Sequence, residues 1–170
     1  MTYRNVALIG RSGSGKTTVA EVLVAQFGYT RVSTGHLCRE ISLRMFGVES
    51  KRRLNEITEA LRSVHPGIWV EAALRGVDAH PVVLDSLRFR EDLAFALAEA
   101  YFIVAVCAPS HVRRARLAAR GQEFELSDEK WPSELELSAQ DSDIAITNES
   151  AGIAELAVMV GSILKERLLL

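Results

Sequence analysis

"ALIGRSGSGKTTVAEVLV", Ala7 to Val24, runs an apolar segment into a glycine-rich turn and leaves that turn through Lys-Thr-Thr. Within it, Gly10-Arg11-Ser12-Gly13-Ser14-Gly15-Lys16-Thr17 satisfies G-x-x-x-x-G-K-[ST], the P-loop pattern. Each residue type has a physical reason. Glycines let successive backbone N–H groups point inward as an anion nest, and let the backbone approach a phosphate closely. The helix that follows adds its positive N-terminal end. Gly10, Ser12, Gly13, Ser14, Gly15, Lys16, Thr17 and Thr18 are therefore expected to cradle the phosphates of ATP, with Lys16 bridging the β- and γ-phosphates and the Thr17 hydroxyl ligating Mg²⁺. The plainer alternative is a glycine-rich turn that carries a solvated lysine.

Outward from this turn, short apolar runs alternate with longer helical patterns. "NVALIG", "YTRVST", "PVVLD", "YFIVAVCA" and "SDIAITN" read as five strands. Between and after them lie helical stretches: "GKTTVAEVLVAQFG" closed by Gly28, "HLCREISLRMFG" stopped at Gly47, and "KRRLNEITEALRSV" ending before Pro66. "IWVEAALRGV", "REDLAFALAEA", "SHVRRARLAARG" (capped by Ser110, stopped by Gly121) and "IAELAVMVGSILKERLL" complete the series. The strands are nearly continuous apolar runs, as expected when both faces of a sheet are covered. Strand–helix alternation with right-handed crossovers predicts an α/β fold: a five-stranded parallel sheet between two helical layers.

The 170 residues fit one domain, residues 1–170. A net charge of -2 supplies no global basic field, so neither nucleic acid nor an acidic membrane surface is an expected partner. The N-terminus lacks a charged-then-apolar leader pattern, and no apolar run approaches the roughly 18 residues a membrane helix needs. Cys38 and Cys107 fit no metal or redox spacing and are expected to be reduced thiols in a cytoplasmic protein.

"VSTGHLCRE", Val32 to Glu40, resembles the "ISTGDxLRE" stretch of adenylate kinases and related nucleoside monophosphate kinases. The resemblance implies that Thr34, Gly35 and Arg39 bind the acceptor, with His36 standing where that family has an acid. Read without it, Ser33 or Thr34 caps a helix and Arg39 is solvated. "VVLDSLRFREDLAFAL", Val82 to Leu97, puts Asp85 at the end of an apolar strand, the position from which a carboxylate orients the hydration shell of Mg²⁺. Asp85-Ser86-Leu87-Arg88 is similar to the "DGxxR" or "DGxR" stretch of this superfamily and, with Arg88-Phe89 close behind the acid, resembles dephospho-CoA-kinase-like and deoxynucleoside monophosphate kinases, which implies that Arg88 holds the acceptor phosphate. "LRSVHPGIWVEAAL" resembles a stretch of the latter kinases and adds Arg62 as a substrate contact, with Trp69 either core or a stacking platform.

Arg116-Leu117-Ala118-Ala119-Arg120 looks like the "RLxxR" of nucleotide kinases. Residues four apart share a helix face, so both guanidiniums can serve one nucleotide. The resemblance implies Arg116 against adenine and Arg120 toward the transferring phosphate; a solvated basic helix is the alternative. Asn148, in "DIAITNES", either contacts adenine or is a turn residue.

These matches run in superfamily order and imply an acceptor-binding helical region at about 34–76 and a lid at about 121–138. The lid sequence, "GQEFELSDEKWPSELELS", is acidic and holds one cation, Lys130. Arginines of the preceding helix (Arg113, Arg116 or Arg120) are then expected to supply the charge that such a lid usually carries. The expected activity is transfer of a phosphoryl group from ATP to a nucleoside or deoxynucleoside monophosphate, with Lys16, Asp85, Arg88 and Arg120 as catalytic residues, in a monomer or homodimer. A dephospho-CoA-like or other small-metabolite kinase is the alternative within enzymes, with Asp85 as its base. A nucleotide-driven switch module is the alternative outside them.

Overall fold

The computed structural model describes residues 3–122, 124–149, 153–165 and 167–169. Five strands form one sheet: β1 (Val6–Ile9), β2 (Thr30–Val32), β3 (Val82–Asp85), β4 (Phe102–Cys107) and β5 (Ile144–Thr147). Their order is β2-β3-β1-β4-β5, and every pairing is parallel. Register sets Leu8 beside Asp85 and Val104, so the C-terminal ends of β1, β3 and β4 open on one edge.

Because side chains alternate along a strand, the central strands β1, β3 and β4 feed two cores. Val6 and Leu8 face Val19, Ala20 and Leu23 of α1 (Lys16–Phe27), joined by Leu156, Val160 and Leu164 of α8 (Ile153–Lys165). Ala7 and Ile9 face the opposite layer. There they join Val70 of α4 (Ile68–Leu74) and Leu93 and Ala96 of α5 (Arg90–Ala98). This is the three-layer α/β/α arrangement read from the apolar runs. A third, smaller core of Cys38, Ile57, Trp69 and Phe89 holds α2 (Thr34–Phe46) and α3 (Lys51–Val64) against α4. Trp69 is 3% exposed, which makes it a core residue, with its indole N–H donating to the Thr58 carbonyl at 3.4 Å.

Helix ends follow the residues that mark them. Gly28 and Gly47 close α1 and α2 in left-handed conformation, and the Ser33 hydroxyl caps α2 by accepting the His36 N–H. One expectation is corrected. Ser110 is the first residue of α6 (Ser110–Ala119) rather than its cap, because its hydroxyl donates to Glu129 instead. Cys38 and Cys107 are unpaired. Among the described residues no helix is long and apolar enough to cross a membrane.

Candidate phosphotransfer cleft

The turn between β1 and α1 is shaped as the glycines require. Gly10, Gly13 and Gly15 have φ of 137°, 78° and 105°, conformations that side chains resist. Close approach excludes a side chain as well. A Cβ on Gly10 would lie 2.3 Å from the Val106 carbonyl oxygen, and one on Gly15 would lie 2.3 Å from Asn148 Nδ2.

Three residues that follow β4 and β5 brace the loop. Asn148 donates through Nδ2 to the Ser14 carbonyl at 2.8 Å and accepts Arg116 Nη2 at 3.1 Å. Arg116 Nη1 reaches the Ser14 carbonyl at 3.4 Å, and Arg113 Nη1 donates to the Ser12 carbonyl at 3.2 Å. Asn148 and Arg116, expected against adenine, thus direct these bonds into the loop. Arg120, one turn further along, lines the open cleft.

Lys16 is buried, and its Nζ donates to the carbonyls of Gly10 (2.7 Å) and Arg11 (2.9 Å). Burial, followed by repulsion from Arg88, pushes its pKa well below the ordinary lysine value, with Glu134 and Asp85 acting the other way. Thr17 Oγ1 donates to Asp85 Oδ2 at 3.2 Å. The pair tests well as a seat for Mg²⁺: it offers hard oxygens, and few of them, to an ion that keeps most of its water. Among the described residues no cluster of three or more His, Cys, Asp or Glu could cage a metal.

Arg31, which no sequence motif singled out, binds the same Asp85 oxygen through Nε (2.9 Å) and Nη2 (2.7 Å). A guanidinium held on a carboxylate edge is a strong, directional contact. From this point a cleft of about 1000 Å³ runs beneath α2 and α3. Thr34, Gly35, Arg39 and Arg88 line it, as the family resemblance implies, together with Lys51 and Arg52. Thr34 Oγ1 donates to the Ser86 carbonyl at 2.9 Å, which fixes the start of α2 to the end of β3.

Arg62 departs from its expectation. Its guanidinium lies 3.6 Å from the Phe89 ring centroid and pairs with Glu91 (3.0 Å), Glu59 (3.3 Å) and Glu136 (3.3 Å). It is not among the residues lining the cleft. Three carboxylates, from α3, α5 and the segment after Gly121, share its charge.

The segment expected to form a lid, apart from residue 123, which lies outside the described residues, packs against the P-loop and α6. Its Asp128–Lys130 turn brings Glu129 to Arg113 at 3.0 Å, while Lys130 is exposed. The short helix α7 (Pro132–Leu135) then carries Glu134 under the P-loop with 0% side-chain exposure. Its carboxylate accepts Ser12 N–H at 2.8 Å, Ser12 Oγ at 2.5 Å, Lys51 Nζ at 3.1 Å and Arg88 Nη1 at 3.2 Å. Burial alone would raise its pKa. Arg88, Lys51 and the two Ser12 bonds outweigh burial and hold it at about 2. Glu134 therefore points inward, and Glu129 is turned to α6, while Glu125 is exposed. The sequence offered one clue, an acid set between a proline-started turn and the apolar pair Leu135 and Leu137.

Comparison with known proteins agrees with this geometry. A family described as "AAA domain" matches residues 6–137, and the chain belongs to it. The cytidylate kinase of Chlorobaculum tepidum is 32% identical over 91 residues, which cover 51% of this chain and 39% of that protein. The chain spans well under half the length of the curated relatives it matches. Among solved structures, shikimate kinase from Acinetobacter baumannii in complex with shikimate superposes with a TM-score of 0.66 at 19% identity, covering 99% of this chain and 97% of that one. Shikimate kinase from Aquifex aeolicus does so at 0.57 and 16%, covering 96% and 97%. At these identities the likeness is one of fold. The family resemblance read from the sequence, to P-loop nucleotide kinases, is borne out.

Proposed function

We propose that this AAA-domain protein is an ATP-dependent phosphotransferase whose acceptor is the phosphate of a nucleoside or deoxynucleoside monophosphate. One observation carries the reading. The P-loop, through Ser12, Lys16 and Thr17, and a second cationic floor, through Arg39, Lys51 and Arg88, line the same cleft. A hydrolytic switch needs one anion site. A transferase between two phosphates needs two, facing each other across a short gap.

In this scheme residues 1–170 act as one domain, with acceptor-binding helices at about 34–76 and a lid at about 121–138. Lys16 neutralises charge on the donor phosphates as the bond to the leaving group lengthens. Arg39 and Arg88 fix the acceptor phosphate, and Arg120 approaches the transferring group from α6. Thr17 and Asp85 would hold Mg²⁺, which supplies Lewis-acid charge neutralisation at the phosphate oxygens. No general base is required, because the attacking oxygen already belongs to an anion. Asp85 Oδ2 is already engaged by Arg31 at 2.7 Å and by Thr17 at 3.2 Å, which favours this choice over a hydroxyl acceptor that would need the carboxylate as its base. The expected setting is the cytoplasm.

The test is a panel of ribo- and deoxyribonucleoside monophosphates incubated with ATP and Mg²⁺, with diphosphate formation as the readout. Turnover with one base class supports the reading. Turnover only with alcohols or sugars, or only of ATP itself, would replace it with one of its alternatives.

A further inference from the structure

Glu134 poses a question that the transfer scheme leaves open. Burying a carboxylate beneath a phosphate-binding loop is costly unless its surroundings compensate it. Here they do. Its four contacts are a backbone N–H and a hydroxyl of Ser12, the Lys51 ammonium and the Arg88 guanidinium. Ser12 lies inside the P-loop. Lys51 comes from the first turn of α3, and Arg88 from the loop between β3 and α5. Lys16 feels the same carboxylate. A loop N–H, a lysine and an arginine converging on one anion is the donor set that recognises a phosphoryl group. A carboxylate accepts the same hydrogen bonds with less charge and fewer oxygens.

We infer that Ser12 N–H, Lys51 and Arg88 form the seat of the phosphoryl group between donor and acceptor, and that Glu134 is a built-in surrogate which vacates this seat when a phosphate arrives. The inference rests on the phosphotransfer reading of the cleft and places Lys51 and Arg88 of its cationic floor where the acceptor meets the transferring group. Two anions cannot share these donors, and neighbouring negative charges repel strongly in a site screened from water. The carboxylate must therefore leave, and its departure returns two cations and an N–H to the incoming phosphate. α7 is suited to this exchange. It is one turn long and is held on its cleft side by Ser133, whose carbonyl accepts Arg88 at 3.1 Å and whose hydroxyl donates to Asn55 at 3.2 Å. The competing possibility is that Glu134 stays in place and positions Ser12, Lys51 and Arg88 throughout.

Calorimetric titration of the full chain with Mg·ATP, and separately with inorganic tripolyphosphate, distinguishes the two. The surrogate predicts that Glu134→Gln binds both probes at least about ten-fold more tightly than the parental chain, and that Lys51→Met binds them at least about ten-fold more weakly. Equal or weaker binding by Glu134→Gln, with the parental chain binding normally, overturns the surrogate and leaves the transfer reading intact. Failure of both chains to bind either probe overturns the transfer reading, and the inference with it. Hydrogen exchange in the parental chain gives a test that does not depend on a variant folding. Tripolyphosphate should speed exchange across residues 131–136 if Glu134 is expelled; slowing there would instead show that it stays.

Discussion

Replacing Glu134 with glutamine keeps the shape of the side chain and removes its charge, so it isolates the ion pairing beneath the P-loop. In the fold this carboxyl titrates at about 2, against 4.5 in an open chain. That separation corresponds to about 3 kcal/mol of stability at neutral pH. The side chain is fully buried, so solvent screening does little to reduce it. Because the folded value is depressed, the stabilisation is complete above pH 4.5 and is lost as pH falls toward 2. About 2 kcal/mol of it should be gone by pH 3. Glutamine has no such titration. The stability gap between parental protein and variant, measured by urea denaturation, should therefore shrink by about 2 kcal/mol between pH 7 and pH 3. Asp92 titrates in the same range, raised to about 6 by burial, but it is common to both proteins and cancels in the difference. A gap that stays flat across this range would mean that the carboxylate is not held ionised by Lys51 and Arg88, and the argument built on those pairs would fail.

Two further outcomes follow from the site. Lys16→Ala should cost two or more orders of magnitude in kcat, with little change in Tm, because Lys16 meets the transferring charge while the sheet does not depend on it; single-turnover kinetics and a thermal melt check the pair. Arg62→Ala should lower stability by about 1–3 kcal/mol through loss of its charged hydrogen bonds and its packing on Phe89, yet leave the acceptor KM unchanged; a raised KM would restore Arg62 to the acceptor site.

Much of the scaffold was legible in the sequence because local chemistry dictates it. Strands buried on both faces must be apolar, and "PVVL" and "FIVAVC" are. The P-loop was legible for the same kind of reason, since positive φ and backbone contact leave glycine as the residue that fits. What stayed hidden depends on distant partners. Glu134 and Ser12 are 122 residues apart, and Arg31 and Asp85 are 54 apart. Neither pair leaves a periodic trace. Arg62 misled for a related reason. Its sequence surroundings resemble a substrate-binding stretch, whereas its charge is claimed by carboxylates that only the fold brings near. The acidic segment after Gly121 departs from its relatives in composition, yet two of its acids, Glu134 and Glu129, face the P-loop and α6. Composition reports how much charge a segment carries, but not which way the charge points.

The central claim is that phosphate moves between two anions bound in one cleft. The most direct measurement follows the γ-phosphate of labelled ATP, with Mg²⁺ present and the monophosphate chosen from the panel added or withheld. The account predicts that label appears in the acceptor's diphosphate, and that ATP consumption without acceptor is slower by at least two orders of magnitude. Label released mainly as inorganic phosphate, at a rate indifferent to the acceptor, would contradict it.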